Sequence, residues 1–169
     1  MANQFSFGLK VGGLKIGDVA EDGGAGTVLT NPGKPRQDTV KVVPGDPTDS
    51  EFYEEGVNSS PAIIISKFGI KEIQFDLLTF DKQVIADLTG GSVTNGVYSE
   101  PIGPVNIEKT VQLEDTQAEP WLYPRVKINA MLIGNFSSTD VNVVRVKGKV
   151  MQPTKDGVSA FTYGKPVAP

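Results

Sequence analysis

The chain has 169 residues, a formal net charge of -4, and neither cysteine nor histidine. That length is enough to bury a core as a single domain, residues 1–169, without disulfides or a structural metal. The missing residue types exclude a cysteine nucleophile, a Cys/His zinc site, a Ser-His-Asp triad and a disulfide framework. No enzymatic activity and no cofactor are therefore expected. The acidic balance argues against a nucleic-acid surface built on surplus Lys and Arg. No apolar run approaches the roughly 20 residues of a membrane span, and the opening MANQFSFGLK lacks the pattern of a secretory signal. A cytoplasmically made product with no membrane partner is the expectation, which turns the sequons at Asn58 and Asn135 into chance matches. Hydrophobic residues at 38%, with 19 Gly and 12 Pro, favour a turn-rich, mainly β domain.

Phe5, Phe7, Leu9 and Val11 alternate with polar residues, the period of a half-buried strand. The Gly12-Gly13 pair then predicts a hairpin turn, with Leu14 and Ile16 on one face of the returning arm. Residues 20–61 read as a long early loop, punctuated by Gly- and Pro-rich turns and containing one strand at 38–43. Ordering so long an excursion costs entropy that some contact must offset. Its second half carries Asp46, Asp49, Glu51, Glu54 and Glu55 with no basic residue, and Phe52 and Tyr53 in the middle. Three readings stand: a solvated acidic loop, a carboxylate cluster for a hard cation whose spacing departs from an EF-hand, or a contact arm anchored by the two aromatics.

The continuous apolar run at 62–66 predicts a strand covered on both faces, a core element. Ile73, Phe75 and Leu77 then alternate with Glu72, Gln74 and Asp76, giving a strand with one wet face. One short helix is expected over about 80–89. Thr79 is its cap, Phe80, Val84, Ile85 and Leu88 form its stripe, and Gly90-Gly91 ends it. A strand broken at Asn95-Gly96 follows, then strands over 106–114, 125–133 and 141–151, the last with a bulge near Val143-Val144 to correct its phase. A short edge strand over 159–163 lies in a flexible tail, residues 154–169.

For chemistry the sequence offers little. Gly23-Gly24-Ala25-Gly26 lacks the remaining features of a dinucleotide fingerprint or a P-loop. Acidic pairs such as Asp46 with Glu51, or Glu114 with Asp115, read as solvated charges. Trp121 and Tyr123, flanked by Pro120 and Pro124, are either an aromatic platform for a sugar or base, or an anchor packed on the core.

The order of these segments resembles that of bacteriophage and prophage tail tube proteins, also called major tail proteins. The resemblance is carried by 16–20 (IGDVA) with the following Gly26-Thr27, by 73–91 closing on Leu88-Thr89-Gly90-Gly91, by Ile107-Glu108-Lys109, by 125–130 (RVKINA) and by 150–154 (VMQPT). It implies an antiparallel β-sandwich or rolled β-barrel flanked by the helix. It further implies hexameric rings stacked into a hollow tube in the virion tail, assembled in the host bacterial cytoplasm. Other tail proteins (tape measure, baseplate or initiator, terminator) are the implied partners, and DNA passes without specific binding. The inner tube of a contractile injection machine shares the same fold, and an unrelated carbohydrate-binding or adhesin sandwich is the remaining alternative.

If each of six subunits lends about four strands, a barrel of ~24 tilted strands has a diameter near ~48 Å. Its bore then passes a duplex about 20 Å wide. The resemblance makes Asp46, Asp49, Glu51, Phe52, Tyr53, Glu54 and Glu55 the assembly contacts. Glu72, Gln74, Asp76, Glu108, Thr110 and Gln112 become the lumen wall, an acidic or neutral surface that would not retain phosphates. Arg145, Lys147 and Lys149 are then expected outside, or paired with carboxylates across subunits; the alternative is that Arg145 to Lys149 line the wall with their charges neutralised by neighbouring acids.

Overall fold

The computed structural model describes residues 5–166. Its strands are β1 (Leu14–Asp18), β2 (Lys34–Pro35), β3 (Lys41–Val43), β4 (Thr48–Phe52), β5 (Ile63–Lys67), β6 (Glu72–Thr79), β7 (Ser92–Thr94), β8 (Val97–Ser99), β9 (Ile107–Glu114), β10 (Pro120–Ile133), β11 (Val143–Val150) and β12 (Thr162–Tyr163), with the helix α1 (Lys82–Thr89) after β6. Eight strands form one antiparallel sheet in the order β1-β9-β10-β11-β6-β2, with β3 also beside β6 and β12 beside β10. The sheet curls into a half-barrel. The mainly β, rolled architecture with one short flanking helix is thus the observed one.

Period-two alternation builds the core. Leu14 and Ile16 of β1, Ile73, Phe75 and Leu77 of β6, Val111 and Leu113 of β9, Val126 and Ile128 of β10, and Val144 and Val146 of β11 point to one side of the curl. α1 closes that side with Ile85 and Leu88. Each such side chain contributes about 1.5–3 kcal/mol by leaving water. Tyr123 is 1% exposed and stacks on Phe161 at 4.9 Å, and burial pushes its phenol up to about 12. β10 accommodates Pro124 through a register shift between Tyr123 and Val126, because a proline nitrogen has no proton for the ladder.

Several elements depart from the sequence pattern. Residues 5–11 form no strand. Gly8 sits at φ 64°, which interrupts extension, and the segment is held instead by Thr116 N–H to the Phe7 carbonyl and Lys10 N–H to the Glu114 carbonyl. The turn at Gly12-Gly13 exists and is closed by Gly13 N–H to the Lys10 carbonyl at 2.8 Å, but the arm before it pairs with Glu114 of β9 rather than with β1. The helix begins two residues later than expected. Thr79 still belongs to β6, and the Asp81 carboxylate accepts from the Val84 N–H at 2.8 Å as the cap. Its end is as expected, with Gly90 in the left-handed region at φ 78°. Asn95 and Gly96, both at positive φ, turn β7 into β8.

β11 runs in regular register from Val143↔Ile133 to Val150↔Val126, so no bulge corrects its phase. Val143 is buried at the start of the strand and Val141 lies outside it. The strand expected over 159–163 shrinks to β12, paired with Trp121 and Leu122. This part of the tail is tied down: Phe161 packs on Trp121 and Tyr123, and Lys155 pairs with Asp22. Residues 167–169 of the expected flexible tail lie outside the described residues.

Candidate assembly interface

The expected loop over 20–61 is not structureless. Residues 20–33 are held to the body by the Ile16–Thr30 bridge and by Gly26 N–H to the Thr110 hydroxyl, β2 and β3 lie against β6, and the stretch after β3 leaves the body as an arm. The ladder of β3 and β6, with Val42 opposite Ile73, is interrupted at 44–47 and 68–71 and then resumes as the two-stranded ribbon β4–β5. At the base, Gly45 N–H donates to the Ile70 carbonyl at 3.0 Å. A Cβ on Gly69 would collide with the Gly45 backbone, so the two strands cross here only because both residues lack one. Ala62 N–H to the Phe52 carbonyl, 2.7 Å, closes the far end. From Pro44 to Tyr53 the strand reaches roughly 30 Å at its usual rise.

Every residue of β4 and β5 is exposed. The apolar run is therefore not core in the single chain: Ile63, Ile64 and Ile65 are 59%, 54% and 50% exposed, and Phe68 is 97% exposed. The pairing sorts the ribbon into two faces. Ser50 opposite Ile65 and Phe52 opposite Ile63 make one apolar, while Asp49 opposite Ser66 and Glu51 opposite Ile64 make the other acidic. Tyr53 Oη donates to Glu51 Oε2 at 2.6 Å, which pushes the phenol above its ordinary value. Asp46, Glu54 and Glu55 extend the acidic character to the base and tip, and residues 46–66 contain no Lys or Arg. Among the described residues no group of three or more carboxylates converges as a metal site would. The cation-cluster reading thus has no geometry behind it.

The face of the large sheet turned away from the core carries both sets of residues that the sequence reading separated. Cross-strand register puts Asp76 opposite Arg145, Gln74 opposite Lys147 and Glu72 opposite Lys149. Lys127 then faces Lys149 on one side and Glu108 on the other. An acidic wall on one surface with the cations on another is therefore excluded. Arg145 grips Asp76 through two bonds, 2.9 and 3.0 Å, and Arg125 grips Glu108 through two more, 2.7 and 3.0 Å. The Arg125 guanidinium holds the Glu108 carboxyl below its usual range.

Gln112 and Glu72 are half-buried on this face, but Thr110 is fully buried and Asp76 is 7% exposed. Thr110 is covered because residues around Gly26 fold across it. Its hydroxyl accepts from Gly26 N–H and donates to the Pro124 carbonyl, each at 2.8 Å. As a lumen candidate it presents nothing to solvent in this chain.

Trp121 and Tyr123 form no platform. Tyr123 is buried, and Trp121 packs against Phe161 and Tyr163 at 5.5 and 5.2 Å between ring centres. They anchor the tail to the core, and the sugar-binding reading loses its feature.

The surface residues that sequence reasoning missed are Ile63, Ile64, Ile65, Phe68 and Ile70 on the arm, and Met131, Leu132, Phe136 and Val141 around the turn between β10 and β11. An apolar run signals burial but not the chain that supplies it. No helix among the described residues is long and apolar enough to cross a membrane. Comparison of the chain with protein-family models and with curated protein sequences finds no match to either.

Proposed function

We propose that this chain is a structural subunit that assembles with copies of itself into hexameric rings stacked as a hollow tube, the tail tube of a phage or prophage, through which DNA passes. The observation that carries the reading is the β4–β5 arm. An isolated two-stranded ribbon is marginal in water, and a strand of three consecutive isoleucines exposed on both faces gains its stability when another surface covers it. The free edges of β4 and β5 are also templates for further strands, a hazard that closure into an assembly removes.

Polarity supports stacking. The arm leaves the sheet at the Glu72 and Lys149 end of β6 and β11, whereas exposed Met131, Leu132, Phe136 and Val141 stand at the opposite end. A patch at one end meeting a different patch at the other is a heterologous contact, and repeated along an axis it gives an open filament. The curled sheet supplies strands for the inner wall, and its outward face, with Glu72, Gln74, Glu108 and Gln112 among paired arginines, is the surface assigned to the lumen. Tape measure, initiator and terminator proteins are the further partners of such a tube.

Sedimentation and negative-stain imaging of the purified chain over a concentration series test this. Rings or tubes with a uniform bore are the expected result. A protein that stays monomeric at high concentration, with no ring in any field, would falsify it.

A further inference from the structure

We infer that the apolar face of one copy's arm lies in the open side of a neighbouring copy's half-barrel, in the groove between residues 6–12 and the β2–β3 edge. This rests on the assembly reading above, and it names the surface that receives the arm.

The curled sheet does not close. Among the described residues β2 and β3 pair only with β6, so their other edge carries no strand. Across from them, residues 6–12 form no strand and are bonded to Glu114 and Thr116. Between the two runs lies a groove of about 890 Å³. Leu9, Val40, Val42 and Trp121 line it, each packed against the core yet only half-buried. Phe7 and Val11 on its side are 61% and 99% exposed. The core is therefore uncovered along one side, while the arm is a ribbon of core composition with nothing over it. One contact satisfies both. The groove opens on the core side of the curl, away from the outward face assigned to the lumen, so an occupied groove leaves the bore clear.

Polarity and length fit this occupant. Lys34 stands opposite Thr79, at the end of the sheet where β10 turns into β11, and Val42 stands opposite Ile73, at the end where the arm leaves. Arg36 pairs with Asp140 at 3.1 Å, which ties the mouth of the groove to the turn that bears exposed Phe136 and Val141. An arm that reaches the next copy head to tail meets that turn first and then runs down the groove. Measured along β6 from Thr79 to Ile73 the groove extends roughly 20 Å, and the ribbon from Thr48 to Phe52 is roughly 14 Å long. Phe52, Ile63 and Ile65, on one face of the ribbon, then cover Leu9, Val40, Val42 and Trp121, while Asp49 and Glu51 stay on the solvent side.

Charge points the same way. The charged groups of the groove are Lys10, Lys34, Arg36 and Lys41 against Asp38, Glu114 and Asp115. Glu114 is held by Lys10 and Lys15, and Asp115 accepts from Ser6 Oγ and from the N–H groups of Gln117 and Glu119. Among the described residues no carboxylate lies within ion-pair distance of Lys34 or Lys41, neither Asp38 on the rim nor Glu72 on the outward face. The unanswered charge is thus Lys34 at the mouth and Lys41 near the far end, against Asp38. The arm brings Asp46, Asp49, Glu51, Glu54 and Glu55, with no Lys or Arg over 46–66.

The chain has one tryptophan, Trp121, and no cysteine, so both the groove and the contact can be read directly. In assembled wild-type protein, acrylamide is expected to quench Trp121 about twofold less than in the free subunit, because a docked ribbon excludes water from it. One preparation carries Ser50→Cys, on the apolar face of the ribbon, and a second carries Gln37→Cys, on the groove rim. Mixed under assembly conditions and oxidised, they are expected to give a disulfide-linked heterodimer, whereas Ser50→Cys with Asn129→Cys, on the outward face, gives none. Lys34→Glu with Lys41→Glu is expected to raise the concentration needed for assembly about tenfold. Circular dichroism and melting temperature show that each variant is folded.

If tubes form with Trp121 as accessible as in the free subunit, the groove is empty and the docking assignment is overturned while the tube reading stands. A link from Ser50→Cys to Asn129→Cys in place of Gln37→Cys does the same. An internal disulfide in a chain carrying both Ser50→Cys and Gln37→Cys, formed at a dilution where the subunit is monomeric, overturns the inference in favour of the chain's own arm folding back. If the wild-type chain builds no assembly, both readings fall.

Discussion

β5 and β6 are neighbours in sequence and similar in apolar content, yet their fates are opposite. Ile73, Phe75 and Leu77 are at most 1% exposed, whereas Ile63, Ile64 and Ile65 are at least half exposed. The difference is periodicity and company. β6 alternates, so one face meets α1 and β11 while the other stays polar, and it is flanked by β11 and by β2 and β3. β5 does not alternate and has only β4 beside it. An alternating strand can be satisfied by its own chain, whereas a strand apolar on both faces needs two coverings, and here the chain provides neither. The arm thus has the composition of a core strand with nothing in its own chain to cover it, the observation on which the proposed assembly rests.

Removing the arm is the most severe way to break that contrast. Replacing residues 46–66 by a short turn is expected to abolish assembly altogether, while the melting temperature stays within a few degrees because no buried side chain is lost. A companion measurement is hydrogen exchange in the free subunit. Amides of β4 and β5 should exchange fast and those of β6 at the rate of global unfolding, with the arm becoming protected only in assembled material. A deleted chain that still forms normal tubes would show the arm to be irrelevant to assembly.

Point substitutions sharpen the same comparison. Phe75→Ala, in β6, removes a fully buried ring and should cost about 3–5 kcal/mol of folding stability. Ile64→Ser, in β5, should shift folding stability by less than about 0.5 kcal/mol while weakening assembly. Denaturant melts and sedimentation, run on both variants, separate the two effects. An Ile64→Ser chain that melts like Phe75→Ala would place β5 back in the core.

What could be read in advance follows from how local each signal is. β6, β9 and the Asn95-Gly96 turn were legible because alternation and positive-φ residues act within a few positions, whereas β11 was legible as a strand but not in its start, which excludes Val141 and so needs no bulge. Residues 5–11 alternate equally well, but Gly8 at positive φ defeats the pattern, and the segment bonds to Glu114 and Thr116 instead. Helix α1 was legible in its stripe and its Gly90 end, while the cap shifted from Thr79 to Asp81 because β6 runs on through Thr79. The acidic residues of the arm were legible as a charged, exposed segment, for which a contact arm was one of three readings, but the isoleucines were assigned to a strand covered on both faces, whereas both faces are exposed in this chain. The mixing of acids and lysines on one sheet face was hidden in the register between β6 and β11, which joins residues more than 60 positions apart.

Thr110 is the sharpest of these long-range effects. By parity it belongs to the wet face of β9 with Glu108 and Gln112, but the Gly26 segment buries it. Thr110→Val keeps the shape and removes the hydroxyl, leaving Gly26 N–H and the Pro124 carbonyl without this partner. The expected cost is about 1–3 kcal/mol. Thr110→Ser, which keeps the hydroxyl, should lose less. A neutral Thr110→Val would show that the two bonds of the hydroxyl contribute nothing to folding.

The smallest effect concerns how the two regions hold their carboxylates. On the sheet, Glu108 is locked by Arg125, which keeps its carboxyl below the usual 4.5. On the arm, no cation lies within ion-pair distance of Asp49 or Glu54 among the described residues. A depressed folded-state value means that the folded chain binds the proton less readily than the unfolded one. The Glu108 contribution is then fully present above about pH 5 and is lost as pH falls through the depressed value. Both partners are partly solvated, so the gain is at the modest end for ion pairs. Melting curves from pH 7 to 3 should show stability falling toward acid, with a shallower fall in Glu108→Gln. An identical slope in Glu108→Gln and wild type would mean that the pair seen on the sheet contributes nothing to folding.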